Sequence, residues 1–178
     1  GGGVVADTIE IRVSHNDDDA EEDDGGGMTV DNDKIEMGQM KYVGLRFLNV
    51  TIPPGATITA AYIEFKAADG NTEDTDIRIW GEDVNDASRF DDGDDDISDR
   101  QKTSSSVTWN NVENWSSGQT YQTPDISSVI QEIVDKGGWL SGYDMVIMLE
   151  STDLNGKRYI TAHDDSPSNA SLLHVEYE

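Results

Sequence analysis

The chain has 178 residues, of which 37 are Asp or Glu and 12 are Lys or Arg, giving a formal net charge of -25 at pH 7. That length suits one domain with one core, and the absence of cysteine excludes disulfides, thiolate metal sites and cysteine nucleophiles. A field of this sign repels nucleic-acid phosphates and anionic membrane surfaces and attracts cations, and no apolar run reaches transmembrane length.

In chain order, Asp7-Thr-Ile-Glu-Ile-Arg-Val13 alternates apolar and polar residues and predicts a strand. An acidic, glycine-rich segment follows from Asn16 to Gly27 and is expected to be a loop. Residues 42–50 carry Val43, Leu45, Phe47 and Val50 near period two. Pro53-Pro54-Gly55 is a turn. A strand is expected from Ile58 to Ala67, a polar turn from Asp69 to Asp74, and another strand around Ile77, Ile79 and Trp80. Asp91–Asp99 reads as a second acidic loop, Val107–Trp109 as a short strand or edge, and residues 110–122 as a polar stretch carrying Trp115 and Tyr121.

One helix is expected over about residues 124–135. Thr123 is placed to cap it, Pro124 suits its first position and Asp125 complements its dipole. Ile126, Val129, Ile130, Ile133 and Val134 share one face, and Gly137-Gly138 ends the helix. Strands are expected at Met145–Leu149, Arg158–Ala162 and Leu172–Tyr177. Eight to ten short strands, one helix and no βα alternation predict an all-β antiparallel sandwich in a single domain, 1–178. The N-terminal strand Val4–Val13 is a candidate to add to a neighbour's sheet edge, so segment 1–13 is expected to dock on, or exchange with, another subunit.

Asp outnumbers Glu 25 to 12, and many Asp sit in runs beside Gly and Asn. Short carboxylates on tight turns suit a hard cation with oxygen ligands, so calcium is the expected ion. The candidate donors fall in several clusters. The Asp17–Asp24 run holds Asp18, Asp19, Glu21 and Glu22. Asp31-Asn32-Asp33 with Glu36 alternates oxygen donors like part of an EF-hand loop, without its full length or central glycine. Asp91–Asp96 contributes Asp92, Asp94 and Asp96, and Asp164-Asp165 follows a predicted strand. Asp153 and Asn155 form a further small turn. The alternative for each run is a solvated loop, with the charge serving as salt adaptation.

His15 and His163 border acidic segments and are candidate secondary ligands, whereas His174 lies within the final predicted strand. No nucleophile elbow, phosphate loop or dinucleotide fingerprint occurs. Carboxylate pairs abound, but no segment supplies the cleft that a glycosidase dyad requires, so the chain is expected to be non-catalytic. Trp80 and Trp139 adjoin apolar runs and are expected in the core. Trp115, with Tyr121, is the candidate sugar-stacking site. Asn49, Asn114 and Asn169 are sequons. The start at Gly1 without an initiator Met favours a processed chain.

The segments Val43-Gly-Leu-Arg-Phe47, Ile52-Pro-Pro-Gly-Ala-Thr-Ile58, Ala61-Tyr-Ile-Glu-Phe65, Thr123–Ile126 through Gly138-Trp139, and Leu172–Tyr177 resemble those of bacterial extracellular jelly-roll modules of the DNRLRE-related type. The resemblance implies a jelly-roll fold, a secreted or cell-surface location, and metal held near Asp18, Asp19, Glu21, Glu22 and Glu36. Some modules of this kind bind polysaccharides. Together these readings predict a calcium-binding structural subunit of an extracellular homopolymer, such as a filament, sheath or matrix. A calcium-dependent carbohydrate-binding module is the alternative.

Overall fold

The computed structural model describes Gly3 and residues 5–178; the part of the expectation for segment 1–13 that falls on Gly1, Gly2 and Val4 lies outside them. The strands are β1 (Asp7–Arg12), β2 (Asp19–Glu22), β3 (Met28–Thr29), β4 (Lys34–Met37), β5 (Tyr42–Val50), β6 (Ile58–Lys66), β7 (Ile77–Glu82), β8 (Lys102–Trp109), β9 (Thr120–Gln122), β10 (Tyr143–Ser151), β11 (Arg158–Thr161) and β12 (Leu172–Tyr177). The helix, α1 (Ser127–Val134), falls between β9 and β10. One sheet has the order β1-β12-β6-β9 and a larger one β3-β2-β5-β10-β7-β8, while β4 and β11 form a two-stranded ribbon. Every strand pairing is antiparallel. The fold is an all-β antiparallel sandwich with one short helix, as the patterning predicts. No helix among the described residues is long and apolar enough to cross a membrane.

The core follows from the pleat. Alternate residues of β6 and β12 (Ala61, Ile63, Phe65, Leu173, Val175) face Val43, Leu45 and Phe47 of β5, Met145, Ile147 and Leu149 of β10, and Ile77 and Ile79 of β7. The helix closes one end with Ile126, Val129, Ile130, Ile133 and Val134, all buried. Its close approach is possible because β7 carries a glycine there: a Cβ on Gly81 would sit 2.6 Å from the Ile133 side chain.

The helix starts later than its capping signals predict. The amides of Thr123 and Ile126 donate to the carbonyls of Ile63 and Ala61 at 3.0 and 2.8 Å, so residues 123–126 run along β6 before any helical turn forms. The Thr123 hydroxyl accepts from Ile63 N instead of capping. Asp125 Oδ1 meets Ser127 N at 3.1 Å and Ala61 N at 3.0 Å, joining the first turn to the sheet.

A second apolar cluster covers the other face of the large sheet. Ala20, Tyr42, Val146 and Met148 pack beneath Ala87, Phe90 and Ile97 from the segment between β7 and β8. Asp91–Asp99 is therefore held down on both sides by buried anchors, although its acidic tip is solvated. Gly44 makes room for the Phe90 ring, which a Cβ there would meet at 2.5 Å.

Candidate metal centre

The main departure from the expected architecture lies in Asn16–Gly27, where a loop was predicted. A single 3₁₀ turn at Asn16–Asp18, closed by the Asp18 amide on the His15 carbonyl, leads into β2. All four residues of β2, Asp19-Ala-Glu-Glu22, are buried against β5. By register, Asp19 and Glu21 share the inward face with Leu45 and Val43, while Ala20 and Glu22 share the outward face with Gly44 and Tyr42.

Burying carboxylates is costly unless each finds donors. Glu22 Oε2 accepts from the amides of Ile97 and Ser98 at 2.9 and 2.8 Å, which anchors the second acidic segment. Glu21 accepts from the Glu36 amide at 2.7 Å and from Asn32 Nδ2. Burial pushes its pKa up, and the charge of Glu36 adds to the effect. Asp18 Oδ1 is paired with Arg46 at 3.0 Å, and the same guanidinium holds Asp144 at 2.6 Å and the Ala87 carbonyl at 2.9 Å. Asp19 Oδ2 accepts from the His163 amide at 2.7 Å.

These bonds leave three carboxylate oxygens unmet around Asp19. Asp18 Oδ2, Asp19 Oδ1 and Asp164 Oδ1 are all buried and all lack a hydrogen-bond partner. Asp18 and Asp19 are 0% and 2% exposed. Burial drives the Asp19 pKa up to about 7; the charges of Asp164 and Asp18 add to the rise, and the His163 amide opposes it. The Asp164 pKa is also raised, by burial and then by Asp31, Asp17 and Asp33, against the pull of His163. Three distant segments (16–19, 31–33 and 163–164) thus gather acids at one end of the sandwich. The unmet atoms are carboxylate oxygens, the ligand type that suits a hard cation such as calcium. Among the described residues, no three acidic or histidine side chains are yet drawn close enough to enclose an ion. Mutual repulsion of the carboxylates favours that spread arrangement.

The predicted donors therefore divide. Asp18 and Asp19 are buried, with half-buried Asp164 beside Asp19 and exposed Asp33 near Asp164. Glu21 and Glu36 form an adjacent pair linked through the Glu36 amide. Glu22 is not beside them: it faces outward, and its carboxylate is occupied by two backbone amides. Asp96 is engaged by Arg100 at 3.0 Å and accepts from the Asp91 amide, so it is also removed from the candidate ligands. Asp92, Asp94 and Asp165 are exposed, as the solvated-loop alternative holds. His163 reaches the group through its backbone amide, and its Nδ1 lies 2.7 Å from Asn16 Oδ1. His15 Nδ1 accepts from the Asp17 amide. Arg46 is a functional residue the pattern did not single out, because an outward-facing strand arginine gives no sequence signal of what it clamps.

The expected sugar platform is corrected by burial. Trp115 is 2% exposed, stacks on Tyr121 at 5.0 Å and packs at a tilt against Phe65 at 5.9 Å. The Tyr121 hydroxyl accepts from the Ser116 amide. The polar sequence around Trp115 turns the chain over the ring, leaving it no free face for a pyranose. Trp139 is buried as predicted, with its indole N–H on the Ile52 carbonyl at 3.0 Å. Trp80, in contrast, lies half-buried on the outer face of the large sheet. In comparisons with known proteins, no family model matches the chain, and no curated protein is similar to it in sequence.

Proposed function

We propose that this chain is a non-catalytic, calcium-binding jelly-roll module that serves as a structural subunit of an extracellular or cell-surface assembly. The observation that carries the reading is the group of buried Asp18 and Asp19 with half-buried Asp164, each with a buried carboxylate oxygen left without a partner. A divalent cation there supplies the missing interaction and offsets the cost of ionising Asp19. Asp18, Asp19 and Asp164 would hold the ion, with Asp33 at the rim. Calcium binding of this kind ties the N-terminal end of the chain to the segment after β11, two parts of the sequence that share no strand pairing there.

Strand order supports the jelly-roll part of the reading. In β1-β12-β6-β9 over β5-β10-β7-β8, the chain crosses between the sheets at most connections, as two wound Greek keys do. The resemblance to DNRLRE-related modules supports the extracellular setting, where calcium is abundant. The net charge of -25 supports a role for divalent ions in any close packing of subunits. The test is calorimetric titration of chelator-treated protein with calcium, followed by melting and sedimentation with and without it. Saturable binding, a higher Tm and calcium-dependent sedimentation are expected. Stabilisation by sodium chloride as large as that by calcium would favour the salt-adaptation reading and overturn this one.

A further inference from the structure

The outer face of the large sheet brings three cations, Lys41, Arg78 and Lys102, over the rings of Tyr42 and Trp80. Tyr42 on β5, Glu150 on β10 and Arg78 on β7 stand side by side in register, and Trp80 follows Arg78 two residues along. Lys102 Nζ lies 4.9 Å and Lys41 Nζ 5.7 Å from the Tyr42 ring centre. The Arg78 guanidinium lies 5.4 Å from the Trp80 ring centre. The carboxylates in this neighbourhood are all engaged: Glu150 pairs with Lys41 at 3.1 Å and accepts from the Trp80 indole at 2.8 Å, Glu22 accepts from the Ile97 and Ser98 amides, and Glu82 pairs with Arg100 at 2.9 Å.

Arg78 is the anomaly. The other arginines are all anchored: Arg12 on the Ala170 carbonyl, Arg46 on Asp18 and Asp144, Arg89 on Asp17, Arg100 on Glu82 and Asp96, and Arg158 on the carbonyls of Val112 and Glu113. Arg78 has a buried Nε without a partner and pairs with no acid among the described residues, in a chain with 37 of them. Lys102 likewise reaches no carboxylate and only a distant carbonyl, that of Ser98 at 3.4 Å. A guanidinium fixed on an indole and lacking its own acid is a preorganised carboxylate receptor.

We propose that this patch docks the acidic tip of a second copy, the exposed Asp91–Asp95 segment. Two observations select a protein carboxylate run over a sugar. Tyr42 is buried and Trp80 is covered by Arg78, so nitrogen atoms rather than open ring faces meet the incoming group. The chain itself also supplies the complement, since Asp92 and Asp94 are exposed on a tip whose base is pinned by Phe90, Ile97 and Glu22. Phe90 and Ile97 seat the tip on the same outer face as Tyr42 and Trp80, so the patch and tip of one copy meet their complements on another across that face. The inference rests on the assembly reading above.

The test uses the full chain in calcium, with sedimentation velocity and negative-stain microscopy as readouts. Arg78→Glu with Lys102→Glu should raise the critical concentration for assembly at least tenfold, as should Asp92→Lys with Asp94→Lys. Mixing the two double variants restores both complementary contacts and should restore assembly, which also shows that each variant is folded. Assembly of the Arg78→Glu, Lys102→Glu variant at the wild-type concentration would overturn the docking contact and leave the assembly reading standing. A wild-type chain that stays monomeric at every calcium concentration removes both. Retention of the wild type on a polyuronate gel, lost in the Arg78→Glu, Lys102→Glu variant and accompanied by unaltered assembly, would assign the patch to a glycan instead.

Discussion

Replacing Asp19 with asparagine removes one negative charge from a site where the fold resists it. The side chain is 2% exposed, and its pKa rises from 3.8 to about 7. Because the native value lies above the unfolded one, the folded state keeps a proton that the unfolded chain has already released. Stability of the metal-free protein therefore falls as pH rises from about 4 to about 7, and the whole loss is present above that window. At 1.36 kcal/mol per unit, the loss amounts to roughly 4 kcal/mol. For a chain of this size, about 2–4 °C per kcal/mol converts that to a Tm difference on the order of 10 °C. Asparagine keeps an acceptor for the His163 amide, and its own amide can donate to the neighbouring Asp18 or Asp164. Scanning calorimetry in EDTA at pH 8 should find Asp19→Asn the more stable protein by up to that amount, with the two converging near pH 4. At one hundred times its Kd, calcium should add about 2.7 kcal/mol to the wild type and much less to the variant. An Asp19→Asn protein no more stable than wild type at pH 8 in EDTA would refute the claim that this buried charge is uncompensated.

Other substitutions probe the supports of the site. Glu22→Ala strands the amides of Ile97 and Ser98, and should cost about 2–4 kcal/mol in urea denaturation while raising hydrogen exchange across residues 91–99. Gly44→Ala drives a methyl into the Phe90 ring and should cost about 1–3 kcal/mol; Phe90→Leu in the same chain should recover part of it. Trp115→Ala should lower stability by about 3–5 kcal/mol through the cavity it leaves, the signature of a core residue rather than an exposed ligand platform. His174 sits between Glu10 at 3.0 Å and Glu176 at 3.1 Å. Burial lowers its pKa, but the two carboxylates outweigh that and hold it above 6.5. The stabilisation is present below 6.5 and lost as pH rises through the folded value, so the protection of the β1 amides, taken relative to their intrinsic base-catalysed exchange rate, should be lower at pH 9 than at pH 6, and His174→Gln should abolish that difference in protection.

The amino-acid sequence by itself determined the parts of this protein governed by local periodicity. The alternation in β1, β5, β6, β7, β10 and β12 and the apolar face of α1 are set by which side chains must leave water, and each appears where the pattern put it. The same periodicity fixes an antiparallel sandwich with one helix as the way to bury those faces. What periodicity does not encode is how acids behave once a neighbouring strand covers them. Asp18-Asp-Ala-Glu-Glu22 has the composition of a solvated loop, and its burial at β2 depends on Arg46, the His163 amide and the Ile97–Ser98 amides, donors 28 to 144 residues away in the chain. The same holds for Trp115, whose polar neighbours folded over it, and for Arg78, whose lack of an acid is visible only once every other arginine has been placed. Tertiary structure alone decided which carboxylates are satisfied and which are left without a hydrogen-bond partner, because satisfaction is a property of long-range partners and not of composition.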